Sequence, residues 1–76
     1  MKKLVVFKIE PNLDDRWELV RGERLYWRVY FFESRDRRIR KKSIAARDEL
    51  DAFIRFQKRK QLEGHKVVLE GEHDNI

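Results

Sequence analysis

With no cysteine anywhere in its 76 residues, this chain has neither a disulfide nor a cysteine-based zinc site to hold a small core together. A domain of this size lies near the lower end of what folds unaided, so its stability must come from burying large apolar side chains. Five Phe, two Trp and two Tyr are available, and each large side chain removed from water contributes about 1.5–3 kcal/mol. Two histidines, His65 and His73, are too few for a structural metal site of their own.

Periodicity divides the chain into closely spaced elements. Lys3–Ile9 alternates Val5, Phe7 and Ile9 against Leu4, Val6 and Lys8, the period-two pattern of a strand. PNLDD (11–15) reads as a turn, Trp17–Arg21 as a second strand and RGER (21–24) as a hairpin turn. Leu25–Glu33 is the strongest strand, with Leu25, Trp27, Val29 and Phe31 on one face and Tyr26, Arg28, Tyr30 and Phe32 on the other. SRDR (34–37) reverses the chain, and Arg38–Ile44 returns as a fourth strand.

From Ala46 the period becomes helical: Ala46, Leu50, Phe53, Ile54 and Gln57 share one face. Acidic residues open this segment and Arg55, Lys58, Arg59 and Lys60 close it, which complements the helix dipole. Gly64 stops the helix and HKVVLE (65–70) forms a short last strand. The expectation is a single α+β domain over residues 1–70, an antiparallel sheet of three to five strands packed on one face by one helix, with residues 71–76 as a frayed acidic tail.

The net charge of +5 is unevenly spread. Residues 34–60 hold eleven basic and four acidic side chains, a balance of +7; the remainder holds eight basic and ten acidic, a balance of −2. Six of the eight residues in RDRRIRKK (35–42) are basic. One or two lysines protect a sheet edge from stray pairing; a run dominated by arginine, whose fork matches phosphate, points further, to a polyanion.

Catalysis has little to work with. The chain has no Thr and no Cys, its hydroxyl nucleophiles are Ser34 and Ser43, and no glycine-rich phosphate loop occurs. No cofactor, metal or small-molecule substrate is implied. No signal peptide or apolar run of bilayer-spanning length is present either, so the expected location is cytoplasmic, including a host cytoplasm for a phage protein.

The stretch from Trp27 to Phe56 combines an aromatic-led strand, the basic return RRIRKKS and a helix introduced by Ile44, Ala46, Arg47, Glu49 and Leu50. It resembles the AP2-like, arm-type amino-terminal DNA-binding domain of phage integrases. That resemblance implies a three-stranded antiparallel sheet followed by one helix, with the sheet face in the DNA major groove. It implies Arg28, Tyr30, Arg38, Arg40 and Lys42 as the groove-facing set, here in a free-standing binding module. The strand–hairpin–helix–strand order, with ARDELDAF and GHKVVLE, also resembles small phage-encoded inhibitors of host RNA polymerase.

Two functions are therefore expected. The first is non-catalytic nucleic-acid binding, duplex DNA ahead of RNA, by the basic hairpin and the sheet face left open by the helix. Arg35, Arg37, Lys41 and Arg47 would hold phosphates, Arg28, Arg38 and Arg40 would read base edges, and Tyr30 and Lys42 would complete the surface. The alternative is a protein-interaction module that docks on an acidic surface of a host enzyme such as RNA polymerase, anchored by Tyr26, Tyr30 and Phe32.

Overall fold

The computed structural model describes residues 2–12 and 25–71. Its elements are β1 (Lys2–Pro11), β2 (Leu25–Glu33), β3 (Asp36–Ala46), α1 (Glu49–Leu62) and β4 (His65–Leu69). They form one four-stranded sheet in the order β3-β2-β1-β4, with α1 packed on one face. The predicted strand at Trp17–Arg21, the turn at 21–24 and the tail beyond residue 71 lie outside the described residues.

An α+β domain with one helix was expected, and that is the architecture. The sheet, however, is mixed. β1 pairs antiparallel with β2, and β2 with β3, but β4 lies parallel to β1, with Lys2 opposite His65 and Val6 opposite Leu69. The reason is the connection. A helix between β3 and β4 carries the chain back along the sheet before it re-enters, so β4 runs in the direction of β3 and β1, as a crossover requires.

α1 begins where its sequence can cap it. The Asp48 carboxylate accepts the Asp51 N–H at 2.8 Å, and the Asp51 carboxylate accepts the Arg47 N–H at 3.0 Å. Two otherwise orphaned donors are thereby satisfied. Asp51 also pairs with Arg55 one turn on, at 3.0 Å. The backbone hydrogen bond from Arg47, and then Arg55, hold the Asp51 carboxyl below its ordinary range. At the far end Gly64 takes φ +91°, the left-handed conformation that ends helices, and donates to the Gln61 carbonyl at 3.0 Å.

The core lies between the helix and one sheet face. Leu4 and Val6 from β1, Val29 and Phe31 from β2, Ile44 from β3 and Val67 from β4 surround Phe56, which is fully buried. Phe56 meets the Phe31 ring at a centroid distance of 4.8 Å. The Lys60 ammonium lies 5.7 Å from the Phe31 centroid and 5.9 Å from that of Phe56, with its aliphatic stem covering the end of the core.

The buried stripe of α1 differs from the predicted one. Ala46 ends β3 rather than joining the helix, Leu50 is 66% exposed, and Ile54 is exposed too. Ala52 and Phe56 are buried instead, flanked by Phe53. Phe53 is common to both stripes; the helix as turned buries Phe56 and Ala52 in place of Leu50 and Ile54, which sets the Phe56 ring against Phe31 at the centre of the core. Ala52 at the centre allows a close approach.

Phe56→Ala should lower the free energy of unfolding by about 3–5 kcal/mol, whereas Leu62→Ala, on a side chain 91% exposed, should change it by less than about 0.5 kcal/mol. Urea denaturation of the two variants checks the core assignment.

Candidate nucleic-acid interface

The β2–β3 register decides which side chains share a face. Val29 stands opposite Lys42, Phe31 opposite Arg40, and Trp27 opposite Ile44. Directly opposed residues of an antiparallel pair point to the same side. Arg40 and Lys42, and Arg38 by the same alternation, therefore project from the helix-bearing side. This corrects the expectation that they lie beside Tyr26, Arg28, Tyr30 and Phe32. Those residues have Lys41, Ser43 and Ala45 as their neighbours on β3. The groove-facing set implied by the integrase resemblance is thus divided between two faces.

On the face away from the helix, Arg28 is engaged internally. Its guanidinium donates to the Tyr30 hydroxyl at 3.2 Å and to the buried Asn12 carbonyl oxygen at 2.7 Å, and approaches Glu10 at 3.6 Å. Tyr30 donates to Glu10 at 2.8 Å, and the Asn12 amide donates to Ser43 at 2.7 Å. This network ties β1, β2 and β3 together and leaves the Arg28 side chain only 18% exposed. Phe7 is the extra residue of a bulge between Val6 and Lys8. Its ring packs against Tyr30 and Phe32 at 6.2 and 5.9 Å. Lys8 sits over Tyr30 at 5.3 Å and Arg37 over Phe32 at 5.4 Å. Glu10 is held below its ordinary carboxyl range, chiefly by the Tyr30 hydroxyl, then by Lys8 and Arg28.

The hairpin tip lies flush with the sheet. Ser34 and Arg35 make the turn, Glu33 pairs with Asp36, and the Ser34 N–H donates to the Lys3 carbonyl at 2.9 Å. Asp36 takes two side-chain hydrogen bonds from Arg38, at 3.0 and 3.3 Å, and lies 3.6 Å from Arg40. Those contacts, Arg38 first, lower the Asp36 carboxyl and raise the Arg38 guanidinium. Part of the hairpin's positive charge is therefore neutralised where it arises.

A separate concave feature lies elsewhere. An open groove of about 620 Å³ runs between α1 and β3. It is lined by Tyr26, Ser43, Ile44 and Ala45 from the sheet and by Arg55, Lys58, Arg59 and Leu62 from α1. Arg40 and Lys42 project from the helix-bearing side of β3, the strand that forms one wall of this groove. Among the described residues, Arg35, Arg37, Lys41, Lys42, Lys58 and Arg59 have no carboxylate within ion-pair distance. Arg47 is exposed at the β3–α1 junction.

Tyr26 belongs by register to the face away from the helix, as the sequence predicts, while the cations of α1, which read in the sequence mainly as complements to the helix dipole, line the groove with it. The readable signal was their spacing. Arg55, Lys58, Arg59 and Leu62, three and four apart, fall on one flank of a helix. Glu10 and Asn12 were passed over because PNLDD reads as a turn. No group of three metal-ligating side chains converges among the described residues, and no described helix is long and apolar enough to cross a membrane.

No protein-family model matches the chain, and no curated protein or solved structure is significantly similar to it.

If Arg28, Tyr30 and Glu10 form a structural network, Tyr30→Phe should cost about 0.5–1.5 kcal/mol of stability. A lowered carboxyl stabilises the fold at neutral pH, and that stabilisation disappears as pH falls below the ordinary glutamate value of about 4.3 and through the lowered one. Glu10→Gln should therefore flatten the acid limb of the stability–pH profile, as measured by thermal melts from pH 7 downward.

Proposed function

We propose that this protein is a non-catalytic nucleic-acid-binding module whose phosphate contacts come from the flank shared by β3 and α1. One observation carries the reading: three basic side chains of α1, Arg55, Lys58 and Arg59, line one groove against β3, and Lys42 of β3 projects from the same side of the sheet. Arg55 is paired with Asp51, but Lys42, Lys58 and Arg59 have no carboxylate within ion-pair distance among the described residues, and like charges gathered in this way repel one another, which disfavours the fold unless a polyanion relieves it. Arginine supplies the forked donors that grip phosphate, and lysine supplies point charges. The open sheet face suits this role less, because its central arginine is committed to Tyr30 and Asn12.

Arg40 and Arg47 extend the positive flank at its two ends, and Arg35, Arg37 and Lys41 add to the field that draws a polyanion in. Binding that neutralises four to six phosphates makes log affinity fall with log salt at a slope of about −3 to −5 across single and double strands. Lys58→Gln combined with Arg59→Gln should reduce the magnitude of that slope by about one to two. Lys66→Gln, on the opposite sheet edge, should leave it nearly unchanged. Fluorescence anisotropy with labelled oligonucleotides from 50 to 300 mM salt makes the measurement, and a slope near zero overturns the proposal.

A second reading rests on a different observation. On the face away from the helix, Phe7, Phe32, Arg37, Ile39 and Glu70 line a hollow of about 220 Å³, and Ile39 is 66% exposed. An exposed β-branched residue beside two aromatic rings suits an anchor on a protein partner, an acidic host surface included. Ile39→Ser should abolish capture of such a partner after nuclease treatment while leaving the salt slope on nucleic acid intact.

A further inference from the structure

We infer that the groove between α1 and β3 takes single-stranded rather than duplex nucleic acid, with a base stacked on Tyr26 and the backbone held by Arg55, Lys58 and Arg59. The inference rests on the nucleic-acid reading above and narrows it to a ligand class.

Three features of the molecule argue against a duplex. A protein element that reads duplex DNA protrudes into a major groove about 12 Å wide. The β2–β3 tip does not protrude, because the Ser34 N–H is bonded to the Lys3 carbonyl on the neighbouring strand. The helix is no better suited. Its outermost side chains include Leu50, 66% exposed, and Ile54, while its cations lie on the flank turned toward β3. The basic surface is concave, and a concave surface meets a duplex only at its edges.

The same geometry favours an unpaired strand. Binding of single strands joins a basic channel that follows the backbone to an aromatic side chain on which a base stacks. The groove has both parts in its lining. Tyr26, 37% exposed, belongs by register to the face away from the helix and lines the same groove as Arg55, Lys58 and Arg59. Leu62, almost wholly exposed, supplies apolar surface on the cationic wall. Every base has a π-face, so such a site tolerates sequence variation while rejecting bases already stacked in a duplex. Tyr26 also lacks the internal engagement of its neighbour Tyr30, whose hydroxyl is bonded to Glu10 and Arg28.

The test measures affinities of the full chain for an oligothymidine, the matched RNA and a duplex of equal length at one salt concentration. Expected are single-strand affinities at least about tenfold above the duplex. Tyr26→Ala should lose about tenfold or more, as expected for one stacked base, with the salt slope unchanged. Tyr26→Phe, which keeps the ring, should bind like the parent. Circular dichroism melts of both variants verify folding. Duplex binding equal to or tighter than single-strand binding overturns this inference but leaves nucleic-acid binding standing. So does a Tyr26→Ala variant that folds and binds normally. Absence of binding to all three ligands overturns the functional reading itself.

Discussion

The pairing of β2 with β3 controls most of what this molecule presents to its surroundings. Because Phe31 faces Arg40 and Val29 faces Lys42, the alternation that buries β2 under the helix sends three cations of β3, Arg38, Arg40 and Lys42, to the helix-bearing side. The other two, Arg37 and Lys41, go to the opposite face. A one-residue slip would exchange the two sets and expose the core side of β3. That slip is opposed by Ile44 and Ala46, which are buried only in this register, and by the Asn12–Ser43 hydrogen bond on the far face.

Once the register is set, the two sheet faces have different characters. The helix face is closed at its centre by Phe56, and a groove opens beside it between α1 and β3. The opposite face is held by a polar network and three aromatic rings, with Arg28 at its centre. Burying most of an arginine is costly unless its donors are satisfied. Tyr30, Asn12 and Glu10 satisfy them, and the outcome is a rigid surface rather than a free guanidinium. Charge near a sheet is therefore a poor guide to charge available for binding, as Asp36 also shows by holding Arg38.

The crossover from β3 through α1 to β4 supplies the remaining geometry. It places the C-terminal half of the helix over the sheet, so that Lys60 covers Phe31 while Arg55 and Arg59 face the β3 edge. The groove between helix and edge strand is the direct consequence. It joins residues more than thirty positions apart, since Tyr26 and Arg59 line the same cavity.

Much of this was readable from residue order. The ends of β2, the helix stop at Gly64, the Asp51–Arg55 pair, the short last strand and the single helix on a sheet all follow from local periodicity and capping chemistry, which act over a few residues. Local rules also account for the misplaced helix stripe. Leu50 and Ile54 share helical spacing with Phe53 as well as Ala52 and Phe56 do, and only packing against an actual sheet chooses between them. The parallel entry of β4, the capture of Arg28 by Asn12 and the meeting of Tyr26 with the cations of α1 were decided in three dimensions. Each depends on contacts between segments that residue order leaves far apart, and the energy of such contacts exists only once the sheet and the helix have come together.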